Sequence, residues 1–224
     1  MTLSWVDGQP AEGLPIHDRA LAYGDGLFET IKVLAGRPEL LDRHLQRLEH
    51  GCQRLAIPCD INGVGSQLIA FSAELGEGVA KLIVSRGEGK RGYAPPVPCM
   101  PRTVLTGSSL PNYPKAHAEQ GVRLYPCTTR LAEQPILAGL KHLNRLEQVL
   151  ARAEWQDPVY AEGLMRDTSG RVIEGVFSNL FIVESDRLMT PSLERCGVAG
   201  VMREEVLERA RTAGVPIQVG DLSL

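Results

Sequence analysis

The chain has 224 residues, 43% of them hydrophobic, and a formal net charge of -3. That length and apolar share support one large buried core or two smaller ones. A slight acidic excess and an aromatic share of 5% exclude a nucleic-acid binder built on excess cations and stacking rings. Cys52, Cys59, Cys99, Cys127 and Cys196 include no C-x-x-C pair, which argues against a disulfide framework or zinc site and for a reducing compartment. The N-terminus lacks a basic and apolar leader, and no apolar run approaches about 18 residues. The expectation is a cytoplasmic protein with no membrane association.

In chain order, FETIKVL (28–34) reads as a strand. Leu41, Leu45, Leu48, Cys52 and Leu55 recur at helical spacing with charges opposite, which predicts an amphipathic helix over 41–55. GVAKLIVSRG (78–87) and RTVLTGSSL (102–110) are rich in strand formers. GEGKRG (87–92) matches a dinucleotide-binding glycine pattern. The prolines at 95, 96, 98 and 101 bar the helix that this pattern must open, and no acidic residue follows at the ribose position. Residues 107–121, rich in Gly, Ser and Pro, mark a break. The expected division is an N-terminal α/β domain over 1–110, a linker over 111–120 and a second domain over 121–224.

The second half opens with a strand, GVRLYPCTT. Leu143, Leu146, Val149, Leu150 and Ala153 then predict a helix, with Lys141 at its start. VIEGVFSNLFIVES and RLMTP read as short strands. GVMREEVLERARTAG predicts a helix with Met202, Val206 and Ala210 on one face and Gly214 as its stop. Serine-hydrolase, P-loop and zincin motifs are absent, and the five histidines show no metal-ligand spacing.

Four features carry chemistry. Lys141 sits among apolar neighbours, where burial and a nearby helix start lower an amine's pKa. Glu174 interrupts a β run, Arg47 lies just off its helix's apolar stripe, and Gly197 and Gly200 precede a helix whose first N–H groups are free to hold an anion. Each has an ordinary explanation alone: a snorkelling lysine, an edge glutamate, a solvated arginine, a plain loop. Together they match the needs of pyridoxal 5'-phosphate, whose aldehyde takes an amine, whose ring nitrogen takes a carboxylate, and whose phosphate takes an arginine and a helix N-terminus.

DRALAYGDGLFET, LLDRHLQRLEHGCQRLAI, LIVSRGEGKRGY, LAGLKHLNRLEQVLAR, VIEGVFSNLF and GVAGVMREE occur in this order. Together they resemble the fold-type IV pyridoxal-phosphate enzymes, the aminotransferase class IV group. Within it, GLKHLNRLEQVL and SRGEGKRGY resemble the 4-amino-4-deoxychorismate lyases, which release pyruvate from aminodeoxychorismate to make 4-aminobenzoate for folate. The resemblance implies a two-domain mixed α/β (α+β) fold with the cofactor between the domains, and a homodimer. It implies that Lys141 binds the cofactor aldehyde covalently, Glu174 contacts the ring nitrogen and Arg47 the phosphate. Gly200, Val201 and Met202 complete the phosphate cup, and Asn179 lines the cofactor. Arg91 and Tyr93, in KRGY, are assigned to the substrate carboxylates, with Arg86 and Arg102 as neighbouring candidates. Phe28 and Tyr23 line the pocket or pack the core. The family continues beyond VGDLSL with further strands, so a C-terminal segment carrying another phosphate contact is expected. A class IV aminotransferase acting on D-amino or branched-chain amino acids, and a catalytically silent binding protein, are the other readings.

Overall fold

The computed structural model describes residues 3–222, which fall into two units. The first runs to Asn112 and includes Lys141–Asn144. The second comprises Tyr113–Leu140 and the residues from Arg145 onward.

The first unit holds β1 (Ser4–Val6), β2 (Gln9–Pro10), α1 (Arg19–Tyr23), β3 (Gly26–Leu34), β4 (Arg37–Pro38), α2 (Leu41–Arg54), α3 (Ile61–Leu75), β5 (Gly78–Ser85) and β6 (Arg102–Ser108). Its strands form one sheet in the order β2-β1-β6-β5-β3-β4, and every pairing is antiparallel. Because side chains alternate along a strand, β3 buries Leu27, Glu29, Ile31 and Val33 and turns Phe28, Thr30 and Lys32 the other way. α2 packs on β3 and α3 on β5 and β6. The α2 helix buries His44, Leu48, Gly51 and Cys52. A side chain at Gly51 would place its Cβ 2.7 Å from Leu27 Cδ1, so glycine sets how closely helix and strand approach.

α3 was not foreseen. Two glycines, Gly63 and Gly65, lower its intrinsic helix propensity. Burial supplies the compensation: Val64, Leu68 and Phe71 are spaced by four and three residues and fully buried, each contributing about 1.5–3 kcal/mol. Asp60 caps the helix by accepting the Gly63 N–H at 3.0 Å, and Trp5 meets Phe71 edge-on at 5.4 Å.

The second unit holds α4 (Lys115–Gln120), β7 (Arg123–Leu131), α5 (Leu146–Arg152), β8 (Tyr160–Asp167), β9 (Val172–Gly175), β10 (Ile182–Glu184), β11 (Arg187–Pro191), α6 (Val201–Thr212) and β12 (Ile217–Gly220). The strands form two three-stranded sheets, β7-β8-β9 and β10-β11-β12. β7 pairs with β8, and β11 with β12, in parallel. Cys127, Leu131, Ala151, Trp155, Met165, Ile173 and Cys196 form a buried cluster.

Three features differ from the expectations. Residues 115–120, within the expected linker, form α4. On α5 only Ala151 is buried, while the apolar stripe of Leu146, Val149 and Leu150 is exposed. On α6 the inner face is Val201, Arg203, Leu207 and Ala210 rather than Met202 and Val206. Arg203 tolerates burial because Thr190 Oγ1 and the Pro191 carbonyl accept from its guanidinium.

β7 loses its register with β8 between Pro126 and Arg130. The stranded N–H groups of Thr128 and Thr129 donate instead to the Glu154 carboxylate, both at 2.7 Å, and the Thr128 hydroxyl adds a third bond. Burial pushes this carboxyl up, but the threonine donors outweigh it and hold it at about 2. A depressed carboxyl stabilises the fold above its unfolded value of 4.5 and loses that contribution as pH falls through the folded value. Glu154→Gln is expected to cost about 1–2 kcal/mol at neutral pH, after solvent screening. It should also flatten the loss of stability between pH 4.5 and about 2, as read by urea unfolding across pH.

Candidate active site

The residues singled out from the sequence fall into two groups, one in each unit. In the first unit Lys141 does not start a helix, since α5 begins only at Leu146. Instead residues 141–144 lie along the start of β3. The Phe28 N–H donates to the Lys141 carbonyl at 2.9 Å, the Leu143 N–H donates to the Gly26 carbonyl at 3.0 Å, and Leu27 and His142 form an antiparallel bridge. Asn144 Nδ2 closes the segment on the Gly24 carbonyl at 3.1 Å. Gly26 is required there: a Cβ would come within 2.5 Å of the Val84 carbonyl and 3.0 Å of Leu143.

Lys141 is half-buried, and its Nζ stands 4.3 Å from the centroid of the Phe28 ring, a distance at which the ring face attracts the cation. Lys81, on β5, brings a second ammonium to the same ring at 5.4 Å. The sequence reading passed over Lys81; its register opposite Thr30, on the face that carries Phe28, is the signal that finds it.

One residue along β3, on its buried face, Glu29 is 1% exposed and holds two polar side chains of α2. His44 Nδ1 lies 2.6 Å from Oε2, Arg47 Nε donates to Oε1 at 2.8 Å, and Arg47 Nη2 also reaches Oε2. His44 and Arg47, three apart, lie on one helix face. Arg47 is therefore fixed in orientation rather than solvated. Burial pushes the Glu29 carboxyl up, but the hydrogen bonds from His44 and Arg47 carry it below its usual range. No sequence pattern marks Glu29, a carboxylate in the middle of a β run.

Arg91 and Tyr93 stand on an exposed loop, Tyr93 at 85%. The loop is held by Arg19, whose guanidinium donates to the carbonyls of Gly92, Tyr93 and Ala94. The rings of Tyr23 and Tyr93 lie 5.4 Å apart. Arg19 and Arg86 both donate through Nε to Asp25 Oδ2 at 2.8 Å. Arg86 also donates to the carbonyls of Leu55 and Ala56, and Arg102 pairs with Asp7, Asp18 and Glu88. Arg86 and Arg102 thus serve the fold, and of the three arginines Arg91 is the exposed one.

In the second unit Glu174, on β9, is 4% exposed and accepts the Val198 N–H at 2.8 Å. Asn179 Nδ2 donates to the Val198 carbonyl at 2.9 Å. Gly200 is the N-cap of α6 and offers no side-chain cap. A Cβ at Gly200 would sit 2.0 Å from Asn179 Oδ1, so the loop 198–200 is cast against Asn179. Val201 is buried and Met202 is 61% exposed. Glu162 was also missed. Buried, it accepts the N–H groups of Gly163, Val176 and Phe177 and the Ser178 hydroxyl, which builds the turn joining Glu174 to Asn179. Among the described residues no group of His, Cys, Asp and Glu is arranged to hold a metal.

Residues 26–224 match the family described as Amino-transferase class IV. The chain belongs to this family. An aminodeoxychorismate lyase of Vibrio harveyi is 40% identical over 221 residues, covering 98% of this chain and 82% of the relative. The crystal structure of 4-amino-4-deoxychorismate lyase from Pseudomonas aeruginosa superposes with a TM-score of 0.98 at 64% identity, over 99% of this chain and 82% of that one. The branched-chain amino acid aminotransferase of Escherichia coli gives a TM-score of 0.83 at 23% identity, over 99% and 78% of the two chains, which shows the shared fold. The family's fold-type IV architecture is the one expected from the sequence motifs.

The buried pairing at Glu29 sets a prediction. Glu29→Gln keeps the shape but removes the charge facing His44 and Arg47, and is expected to cost about 3–5 kcal/mol at neutral pH. Because the carboxyl is depressed in the fold, the difference from wild type should shrink as pH falls below 4.5. Urea unfolding at neutral and acid pH checks both.

Proposed function

We propose that this chain is an aminodeoxychorismate lyase, a pyridoxal-phosphate enzyme that eliminates pyruvate from 4-amino-4-deoxychorismate and leaves 4-aminobenzoate, a precursor of folate. The likeness to the Pseudomonas aeruginosa lyase, 64% identical over 99% of this chain, carries the reading.

The chain's residues fit the cofactor. Gly200 leaves the N-terminus of α6 without a side-chain cap, and N–H groups there suit a phosphate. Glu174 is a buried carboxylate suited to a ring nitrogen, and Lys141 supplies the amine for the aldehyde. Arg47, oriented by Glu29 and His44, adds a cation for the phosphate, and Asn179 keeps the loop around Gly200, Val201 and Met202 in shape. Pyridoxal phosphate, when bound, supplies an electron sink for negative charge at the carbon next to the substrate's nitrogen.

The remaining work falls to side chains. Lys141 Nζ takes the proton from the carbon bearing the amine and returns a proton to the methylene carbon of the departing enolpyruvate, which becomes pyruvate. Cleavage of the ether C–O bond makes the six-membered ring aromatic, so the reaction runs one way. The substrate carries two carboxylates: Arg91 takes one, with Tyr93 beside it, and Lys81 is a second cation on the Phe28 face. The exposed apolar stripe of α5, Leu146, Val149 and Leu150, supports a homodimer. No described helix is long and apolar enough to cross a membrane and all five cysteines are free, which supports a cytoplasmic location.

Purified protein given aminodeoxychorismate without any keto acid should release pyruvate and 4-aminobenzoate in equal amounts; product formation only after a keto acid is added would establish an aminotransferase instead. Lys141→Ala is expected to lose the visible band of the bound cofactor and to lower turnover by roughly a thousandfold or more. Glu174→Ala should still bind cofactor but lose ~100-fold or more in turnover, and wild-type turnover in that variant would remove its assigned role.

A further inference from the structure

The α1 helix has only five residues, yet each of its ends holds a segment assigned to the proposed reaction, and both segments lie in the first unit. At the C-terminal end Gly24, its left-handed C-cap, accepts from Asn144 Nδ2 at 3.1 Å, and Asn144 closes the segment that begins at Lys141. At the N-terminal end stands Arg19, 4% exposed. Its Nε donates to Asp25, and its two terminal nitrogens donate to the carbonyls of Gly92, Tyr93 and Ala94 at 3.2, 3.0 and 3.4 Å. Tyr23, the last residue of α1, adds a hydroxyl that accepts the Gly92 N–H at 3.3 Å.

The loop needs this hold. It runs from β5 to β6 without a helix or strand of its own, and its prolines at 95, 96, 98 and 101 have no N–H with which to build a ladder. Gly92 is caught on both sides, through its N–H by Tyr23 and through its carbonyl by Arg19. The peptide that follows Arg91 is therefore fixed, although the Arg91 side chain is exposed. The helix is itself anchored. Asp18 caps it by accepting the Ala20 N–H at 2.8 Å, and the Arg19 N–H donates to the Gly87 carbonyl at 2.9 Å. Asp25 Oδ2 also accepts from Arg86, whose other nitrogens reach the Leu55 and Ala56 carbonyls just past α2.

We infer that α1 is the spacer that sets the 90–94 loop against the Lys141 segment, and that Arg19 is a positioning residue for substrate binding, acting through Arg91. The inference rests on the proposed assignment of Arg91 to a substrate carboxylate. A guanidinium fork binds a carboxylate best when it is already aimed, because ordering a free loop at the moment of binding costs affinity. Arg19 acts through the loop rather than on the substrate, since its Nε and both terminal nitrogens already donate to protein oxygens. A lysine in its place could meet Asp25 but has no planar fork to span three carbonyls.

The test compares the wild type with Arg19→Lys, Arg19→Met, Arg91→Ala and the double variant Arg19→Met with Arg91→Ala, all loaded with cofactor. One measurement is KM and kcat for aminodeoxychorismate. The other needs no substrate: the rate of tryptic cleavage after Lys90 and Arg91 in the native protein. Both Arg19 variants should keep the visible cofactor band and raise KM about tenfold with kcat within about threefold of wild type. Their loop should be cut about tenfold faster, as its local opening becomes easier. Arg91→Ala should raise KM similarly, and adding Arg19→Met to it should change KM by less than about twofold, because nothing is left to position. A KM effect of Arg19→Met that persists in full beside Arg91→Ala, or a loss confined to kcat, would overturn the inference. Wild-type KM in Arg91→Ala would refute the assignment of this loop to substrate. The cleavage rate then judges the hold of α1 on the loop by itself, and wild-type cleavage in both Arg19 variants would overturn that hold. Arg19→Lys keeps a cation beside Asp25 and so decides even if Arg19→Met fails to fold.

Discussion

Two backbone hydrogen bonds, between Phe28 and Lys141 and between Leu143 and Gly26, fix the position of the one lysine on which the proposed chemistry rests. They tie residues 141–143 to the start of β3, where Leu27 and His142 form a single antiparallel bridge. The Lys141 carbonyl is committed to β3, so the side chain's starting point is set to within the tolerance of a ladder bond. The Phe28 ring then gives the ammonium a face to rest on. A side chain tied to a strand by backbone bonds is placed more precisely than one on a free loop, and the requirement for glycine at 26 follows from this tied segment as much as from the sheet.

The neighbouring residues of β3 divide the labour. Phe28 faces the lysines, while Glu29, one position on, turns the other way and anchors Arg47 and His44 of α2. Strand alternation alone separates the two roles. Glu29 is costly to bury unless its charge is met; Arg47 meets both of its oxygens and His44, from the same helix, adds a third contact. That arrangement orients Arg47 at the expense of an apolar residue in the core.

Where a local rule governed, the sequence was legible. β3, α2, β5 and β6 follow from their alternation or their helical stripes, and the Gly200 start of α6 from its residue types. The motif order pointed to the family, which the comparison then showed. Where tertiary contacts govern, the reading stopped. The helical spacing around Leu146, Val149 and Leu150 is real, but the stripe faces outward and Lys141 lies five residues before the helix. α3 was hidden by its glycines. Glu29, Glu162 and Arg203 are charged residues in buried positions, so a reading that places polar residues outside passes over them. Lys81 and Arg19 are ordinary cations until the sheet register and the 92–94 carbonyls give them neighbours.

The turn after Glu174 has a consequence for which substitutions the protein can accept. Glu162 gathers four donors there, and a Cβ on Gly175 would lie 2.8 Å from its carboxylate and 2.4 Å from Ser178 Oγ. Lengthening residue 175 therefore requires a shorter residue at 162, yet a shorter residue deserts the donors of Gly163, Val176, Phe177 and Ser178. Neither position can drift alone. Across related chains, residues 162 and 175 should be exchanged jointly or stay as they are.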